Sequence, residues 1–301
     1  MRTVTGATDR VVVVGAGPAG LEAARVAAER GHAVVVHEAA NDPGGQIRLT
    51  AQTPRRHEMM ALIDWRFAEC TRMGVAFRFN SYADGATVLA DGPDVVVIAT
   101  GGLPHTEVLA EGNPLVVSAW DILSGDVRPG SNVLIYDDAG DYAALQAAEK
   151  IAGTGARVEV MTRDRSFAPE VMAMSLTPSM RDLQKRDVIF TVTWKLDAVR
   201  AEGNELVAVI GSDYGGVTRE RRVDQVVVNH GTRPLDDLYF ELRPGSRNLG
   251  DVDYEALVEG RAQDVARNPA GAYQLFRIGD AVAARNTHAA VYDALRLVRT
   301  L

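Results

Sequence analysis

The chain has a single cysteine, Cys70, among its 301 residues. That excludes an internal disulfide, a Cys-x-x-Cys redox pair and an iron–sulfur cluster held by four thiolates of this chain. Positive charge is in short supply. Lys and Arg total 32 against 40 Asp and Glu, for a net charge of −8. A nucleic-acid binder relying on general basicity is excluded, and no nucleic-acid partner is expected. Long hydrophobic runs are missing too. The valine-rich stretches 11–14 and 95–98 are far too short to cross a bilayer, and residues 1–10, MRTVTGATDR, contain no apolar stretch of the signal-peptide kind. We therefore expect no membrane partner and a cytoplasmic protein. The 6 histidines are scattered without metal-ligand spacing, so no metal site is expected. Hydrophobic residues at 47% and charged residues at 24% suit a globular chain, and the length suits about two domains.

What is present begins with VVVVGAGPAGLEAARVAAERGHAVVVHE. Residues 11–14 are a β-branched run that suits a strand buried on both faces. A small-residue helix follows and ends near Gly31, a C′ glycine. Residues 34–36 make a second strand ending at Glu38, which completes a βαβ unit. Gly15-x-Gly17-x-x-Gly20, with Pro18 and Ala19 inside it, lies between strand and helix, and Glu38 follows at about the 20-residue interval of a dinucleotide fingerprint. Gly15 permits the tight turn, Gly17 lets a pyrophosphate approach the backbone, and Gly20 lets helix and strand pack closely. The helix N-terminus offers free N–H groups to phosphate. Glu38 would accept hydrogen bonds from ribose hydroxyls and disfavours a 2′-phosphate, so FAD, NAD or ADP fits better than NADP. A tight turn without a ligand is the plainer alternative, and the agreement of strand, glycines, helix and acid weighs against it.

Farther along, residues 41–53 read as a loop, 58–73 as a helix, and 75–79 and 94–99 as strands. Ser118 is a candidate N-cap for a short helix. A second βαβ pattern covers a strand at 132–136, a helix at 142–152 and a strand at 156–162. Strand-like runs follow at 188–192, 206–210, 223–229 and 273–278, then a helix at 287–301. Aligned on the first unit, the second puts Asp137, Ala139 and Tyr142 at the three glycine positions. Asp137, Asp138 and Asp141 would face and repel a pyrophosphate, and Tyr142 would block close helix–strand approach. A nicotinamide dinucleotide, NAD or NADP, is not expected there. A fold that lost its ligand is the plain reading, and a site repurposed for a cation or partner is the sharper one. Cys70 reads as a buried small hydrophobe. Arg55-Arg56-His57 reads as a solvated face, with a phosphate or partner contact as the alternative. His288 could approach a flavin, though capping or solvent exposure is the simpler role.

Pro43-Gly44-Gly45-Gln46, Ala99-Thr100-Gly101 and Ile278-Gly279-Asp280-Ala281, joined to GAGPAG and Glu38, resemble the two-dinucleotide-binding flavoproteins, the group of glutathione and thioredoxin reductases. The resemblance implies an α/β fold of two Rossmann-like domains, the second inserted in the first. Residues 1–103 plus 236–301 would be an FAD (or ADP)-binding domain, and 104–235 a degenerate NAD-type domain. It also implies that Asp280 lies at the flavin ribityl and pyrophosphate region, that Gly44 and Gly45 admit the cofactor, and that Gln46 lies near the flavin. Arg48, Ala99, Thr100, Gly101 and Gly279 complete the implied cofactor-binding set.

The segments GGQIRLTAQTPRRHEM, VVSAWDILSG and VVVNHGTRPLDDLYFELRPGSRNLGDVDY resemble the C-terminal half of a multidomain family. That family comprises trimethylamine dehydrogenase, dienoyl-CoA reductase and N-methylproline-type demethylases. Its members carry an N-terminal TIM barrel with FMN and a four-cysteine 4Fe-4S cluster, and this chain has neither the barrel nor the cysteines. The resemblance implies an FAD-dependent oxidoreductase subunit, or an excised domain, that relays electrons to or from a partner FMN/iron–sulfur barrel in a hetero-oligomer. The implied reaction is oxidative demethylation of an N-methylated amine or a related one. Flavin would do the redox chemistry, so no acid–base catalyst is named. Two other readings stand beside it. One is a non-redox ADP-binding module, because trimethylamine dehydrogenase is similar in lacking a working second site and holds ADP in the first. The other is a self-sufficient NAD(P)H-dependent flavin reductase.

Overall fold

The computed structural model describes residues 8–301. In chain order, β1 (Arg10–Val14), α1 (Pro18–Glu29) and β2 (Ala33–His37) come first, followed by α2 (Gln46–Thr50), α3 (Met60–Arg72), β3 (Ala76–Arg78), α4 (Gly85–Ala90) and β4 (Val95–Ile98). Next are β5 (Gly102–Pro104), β6 (Val117–Ser118), α5 (Ala119–Ser124), β7 (Asn132–Asp137), α6 (Tyr142–Ala152), β8 (Arg157–Thr162), α7 (Ala173–Gln184) and β9 (Ile189–Thr191). Then come β10 (Lys195–Glu202), β11 (Glu205–Gly211), β12 (Thr218–Val223), β13 (Gln225–Asn229) and β14 (Thr232–Pro234). The chain closes with α8 (Asp237–Leu242), α9 (Tyr254–Glu259), β15 (Gln274–Arg277) and α10 (Thr287–Val298).

These elements form two compact units. The first holds the described residues through Arg48, then Glu58–Leu103 and Arg233–Leu301; the second holds Leu49–His57 and Pro104–Thr232. The sequence alone assigns 49–57 to the first domain, whereas this segment packs within the second unit. Its anchors are polar contacts to α6 and α7, described below, which no hydrophobic periodicity announces.

The first unit is built on a five-stranded sheet in the order β15-β4-β1-β2-β3. Every pairing is parallel, with Val11 opposite Val34 and Val95, and Gln274 also opposite Val95. A parallel sheet covered on both faces needs near-continuous apolar strands, and β4 is buried at all four positions. Val11, Val13, Val36, Val97 and Phe276 meet Leu21 of α1 and Ile63 of α3 on one face. Val12, Val96, Ile98 and Leu275 meet Tyr239 and Leu242 of α8 on the other. Glu22 of α1 is buried between Arg25 at 2.8 Å and Arg66 at 2.7 Å. Burial opposes its charge, but the two guanidiniums outweigh it and hold the carboxyl below its usual range.

The second unit has a parallel sheet in the order β6-β13-β7-β8-β9 and an antiparallel meander, β10-β11-β12. Ser118 caps α5 in a full capping box: its hydroxyl accepts from the Asp121 N–H at 3.1 Å, and the Asp121 carboxylate accepts from the Ser118 N–H at 2.7 Å. Helices α4 and α7 and strands β10 and β12 have no counterpart in the sequence pattern. β12, TRERRV, is mostly exposed, so hydrophobic alternation does not mark it. Within the expected loop at 41–53, α2 forms a short helix.

Asn248 secures the outer edge of the first sheet. It is fully buried; its amide donates to the Leu275 and Asp251 carbonyls at 2.8 and 2.9 Å, and its carbonyl accepts from the Leu275 N–H at 2.8 Å. The side chain thus completes the ladder of edge strand β15. Asn248→Ala strands buried polar groups and should cost about 3 kcal/mol in urea denaturation. An unchanged unfolding midpoint would contradict this account.

Candidate functional site

The parallel strands of the first unit end on one edge, with Val14, His37, Ile98 and Arg277 as their last residues. Ligands of open α/β sheets bind outside such carboxyl ends, where strand order switches direction, here between β1 and β4. Gly15 turns the chain out of β1 with φ +105°, and a Cβ there would lie 2.3 Å from the Ala99 carbonyl oxygen. A Cβ on Gly20 would lie 1.9 Å from the Gly15 carbonyl oxygen. Both positions are sterically closed to any side chain. Gly17 differs: it is the N-cap of α1, no side chain caps that helix end, and a Cβ there would meet nothing within 4 Å. The space in front of the α1 N-terminus is open, and Pro18 and Ala19 begin the helix. A helix N-terminus with unsatisfied N–H groups and open space is the geometry that takes phosphate.

Glu38 follows β2. Its carboxylate accepts from the Ala16 N–H at 2.6 Å and from the Ala40 N–H at 2.8 Å. The acid is therefore held beside the glycine turn, a contact that spacing alone does not reveal. The Gly44 N–H donates to the Ala16 carbonyl at 2.9 Å, and Gly45 lies so near Gly17 that a Cβ on it would be 3.3 Å from the Gly17 Cα. Gln46 donates from Nε2 to Asp280 at 3.0 Å, and the other Asp280 oxygen accepts from the Arg285 N–H at 3.2 Å. A Cβ on Gly101 would be 3.9 Å from the same Gln46 nitrogen, and one on Gly279 would be 3.0 Å from the Ala19 Cβ. The Thr100 hydroxyl donates to the Leu235 carbonyl. The sequence-expected residues thus converge. Arg48 packs in the same loop, where a Cβ on Gly44 would lie 2.8 Å from its Cγ, and its guanidinium donates to the Pro43 carbonyl at 3.3 Å and pairs with Asp42 at 3.5 Å. His288 is exposed, and Asn286 caps α10. Cys70 is buried on α3, and burial pushes its thiol up to about 12, which makes it an inert thiol.

The corresponding turn of the second unit is closed by its own side chains. The sequence expectation has Asp137, Asp138 and Asp141 facing a pyrophosphate, and the structure corrects it. Asp137 is fully buried and accepts from the Gly140 N–H at 2.9 Å and from Asn229 at 3.0 Å. Asp141 caps α6 by accepting from the Ala143 N–H at 2.9 Å, and it takes a second Asn229 contact at 2.8 Å. Asp138 pairs with His230 at 3.4 Å, which holds its carboxyl below the usual range. Tyr142 stacks under Arg56, whose guanidinium carbon lies 3.7 Å from the ring centroid. Arg55 pairs with Asp182 and with Glu149 at 3.4 Å, and Gln146 donates to the Thr50 carbonyl at 2.7 Å. Within the expected solvated face at 55–57, Arg55 and Arg56 are therefore anchors, while Arg55 and His57 stay exposed to solvent. Asn229, the bridge between two carboxylates, escaped the sequence reading. The available signal was the repeat itself: VVVNHG runs out of the end of β13 beside β7 as VVIATG runs out of the end of β4 beside β1.

Among the described residues, no group of three or more His, Cys, Asp or Glu could hold a metal ion, and no helix is long and apolar enough to cross a membrane.

Residues 9–253 match the family described as pyridine nucleotide-disulphide oxidoreductase. The chain belongs to that family. It is thus an oxidoreductase domain of a fold that takes a flavin or nucleotide cofactor. It is 68% identical over 97% of its length to a probable N-methylproline demethylase of Rhizobium meliloti (strain 1021), covering 43% of that protein. It is 45% identical over 96% of its length to an N,N-dimethylglycine/sarcosine dehydrogenase of Chromohalobacter salexigens, again covering 43%. The chain therefore spans less than half the length of these curated relatives. Thioredoxin reductase of Lactococcus lactis superposes with a TM-score of 0.67 over 97% of both chains at 18% identity, which shows the shared fold of two Rossmann-like units.

Two outcomes follow from this geometry. Gly17→Val fits the free chain, because the backbone there is extended and the space is open. It should leave thermal unfolding of the nucleotide-free chain unchanged while lowering nucleotide affinity at least about tenfold; retained nucleotide content would contradict the site. Asp137 titrates near 7, raised chiefly by burial and further by Asp141, against the Gly140 and Asn229 hydrogen bonds. An acid whose folded pKa is raised stabilises fully below its unfolded value, about 4, and that contribution is lost as pH rises through about 7. Asp137→Asn should flatten this loss and raise the melting temperature at pH 8 by at least about 3 °C relative to wild type. Parallel pH profiles for the two proteins would show the assignment to be wrong.

Proposed function

We propose that the first unit holds FAD and serves as the electron-relay module of a flavin-dependent demethylase or dehydrogenase acting on an N-methylated amine. The observation that carries the reading is the 3.0 Å hydrogen bond between Gln46 and Asp280. It joins the Pro43–Gln46 loop to the Ile278–Ala281 turn on the same sheet edge as Gly15–Gly20. An adenine nucleotide alone needs the glycine turn and Glu38. A second, polar pair beyond the pyrophosphate suits the longer ribityl and flavin end.

In this reading Glu38 accepts from the adenosine ribose hydroxyls. The backbone N–H groups at the start of α1 take the pyrophosphate, with Gly15, Gly17 and Gly20 keeping side chains out of its path. Gly44, Gly45, Gln46, Ala99, Thr100, Gly101, Gly279 and Asp280 surround the flavin end. Bound flavin supplies one- and two-electron redox chemistry, and the protein's part is binding and orientation. The self-bonded Asp137–Asp141 turn leaves no phosphate cradle in the second unit, so reducing equivalents come from a partner rather than from NADH or NADPH. The curated relatives, named for N-methylproline and for dimethylglycine or sarcosine, support an N-methylated amine as the substrate class. The partner in this reading is a TIM barrel carrying FMN and a 4Fe-4S cluster, on a separate subunit or on the same polypeptide.

Chromatography of the nucleotide released by heating should identify FAD; ADP without flavin would reduce the chain to a binding module. Anaerobic mixing with NADH or NADPH should bleach the flavin slowly and without saturation. Fast, saturable bleaching would make it a self-sufficient reductase.

A further inference from the structure

A cleft of about 480 Å³ in the first unit takes no part in the nucleotide site. It is lined by Tyr239, Val252, Tyr254, Val265, Arg277 and Val282, among others. Around it stand large apolar side chains in solvent: Tyr254 is 73% exposed, Val258 75%, Phe240 49% and Val282 42%. Tyr254 and Val258 are one turn apart on α9 and so share a face. Phe240 packs edge-on against Tyr239 at 5.2 Å, and the Arg277 guanidinium lies over both rings at 5.4 and 4.6 Å. Arg277 is itself paired with Asp236. The wall of the cleft is charged as well: Asp251, Asp253 and Arg267 line it, with Arg267 paired to Asp251 at 3.1 Å. Aromatic and aliphatic side chains interleaved with arginine and charged groups have the mixed character of a partner-exchanging protein interface, and exposed apolar clusters of this kind mark interaction sites.

We infer that the cleft between α8, α9 and the Gly279–Ala281 turn is where the FMN/iron–sulfur barrel docks. The inference rests on the electron-relay reading above. Two observations favour the barrel over a second copy of this chain. The chain matches 43% of each of the two curated relatives named above, so more than half of those polypeptides lies outside it and needs a surface to meet. Val282 on the cleft wall directly follows Gly279–Ala281, the turn assigned to the flavin end. A domain seated there is brought beside the flavin, as electron transfer over a short path requires.

The test is photo-cross-linking in the assembled enzyme, with a photoreactive residue at Val258 and, as control, at Met174, an exposed apolar position on α7 of the second unit. Val258 should link to the polypeptide segment that carries FMN and the cluster, as an intramolecular peptide pair if the barrel is fused, and Met174 should not. Linkage from Met174 alone would overturn this surface and leave the partner reading standing. Linkage from neither position to any flavin or iron–sulfur segment would overturn both. Linkage of Val258 to a second copy of this chain would reassign the cleft to a homodimer and overturn the proposal. Tyr254→Asp with Val258→Asp should weaken association with the barrel at least about tenfold while flavin content stays at the wild-type level. Undiminished association would contradict it.

Discussion

The turn between β1 and α1 leaves no room for side chains where the helix meets the strand, and the first unit is arranged around that close approach. The Gly15 carbonyl oxygen occupies the space a Gly20 Cβ would need, and the Ala99 carbonyl oxygen occupies the space beside Gly15. Because the helix can come this near, its N-terminus opens directly over the ends of β1 and β4. The Gly44–Gly45 loop can then fold against Gly17, and Gly279 against Ala19. Gly20→Ala would push α1 off the strand and open each of these contacts. The positive end of the helix and its free N–H groups are useful to a phosphate only in that position.

The second unit repeats the strand, turn and helix but solves the same geometric problem with carboxylates. Asp137 turns inward to accept the Gly140 N–H, and Asn229 ties it to Asp141. The cost is a buried acid whose second oxygen has no partner, and burial, with the charge of Asp141 beside it, pushes its pKa toward neutrality. Protonation relieves that cost, so the turn is most comfortable when Asp137 is neutral. A dinucleotide would have to displace these hydrogen bonds and bring its own charge beside Asp138. One fold therefore appears twice in the chain, open to phosphate in the first turn and closed to it in the second.

The backbone logic of the first unit was legible in sequence because a buried parallel sheet requires long apolar strands and because steric exclusion at Gly15 and Gly20 admits a single residue type. The α6 span and the Ser118 cap were legible for similarly local reasons. What escaped notice depends on polar contacts with no periodic signature. Leu49–His57 joins the second unit through Arg55, Arg56 and the Thr50 carbonyl. The mostly exposed β12 is held by its ladder to β11. Asp137 carries the same letter whether it faces solvent or core; only the neighbouring Asn229, from a strand 88 residues later in the chain than the Asp141 it also binds, decides which.

The central claim is that the first unit's open turn takes the dinucleotide while the second unit's closed turn takes none. A crystal structure of the flavin-loaded chain soaked with NADH tests it most directly. The account predicts ordered pyrophosphate at Gly15–Gly20, adenosine ribose on Glu38, and an unaltered Asp137–Asn229–Asp141 cluster with nothing bound. Ordered NADH along residues 137–142, with Asp137 swung out of the core to admit it, would contradict the account.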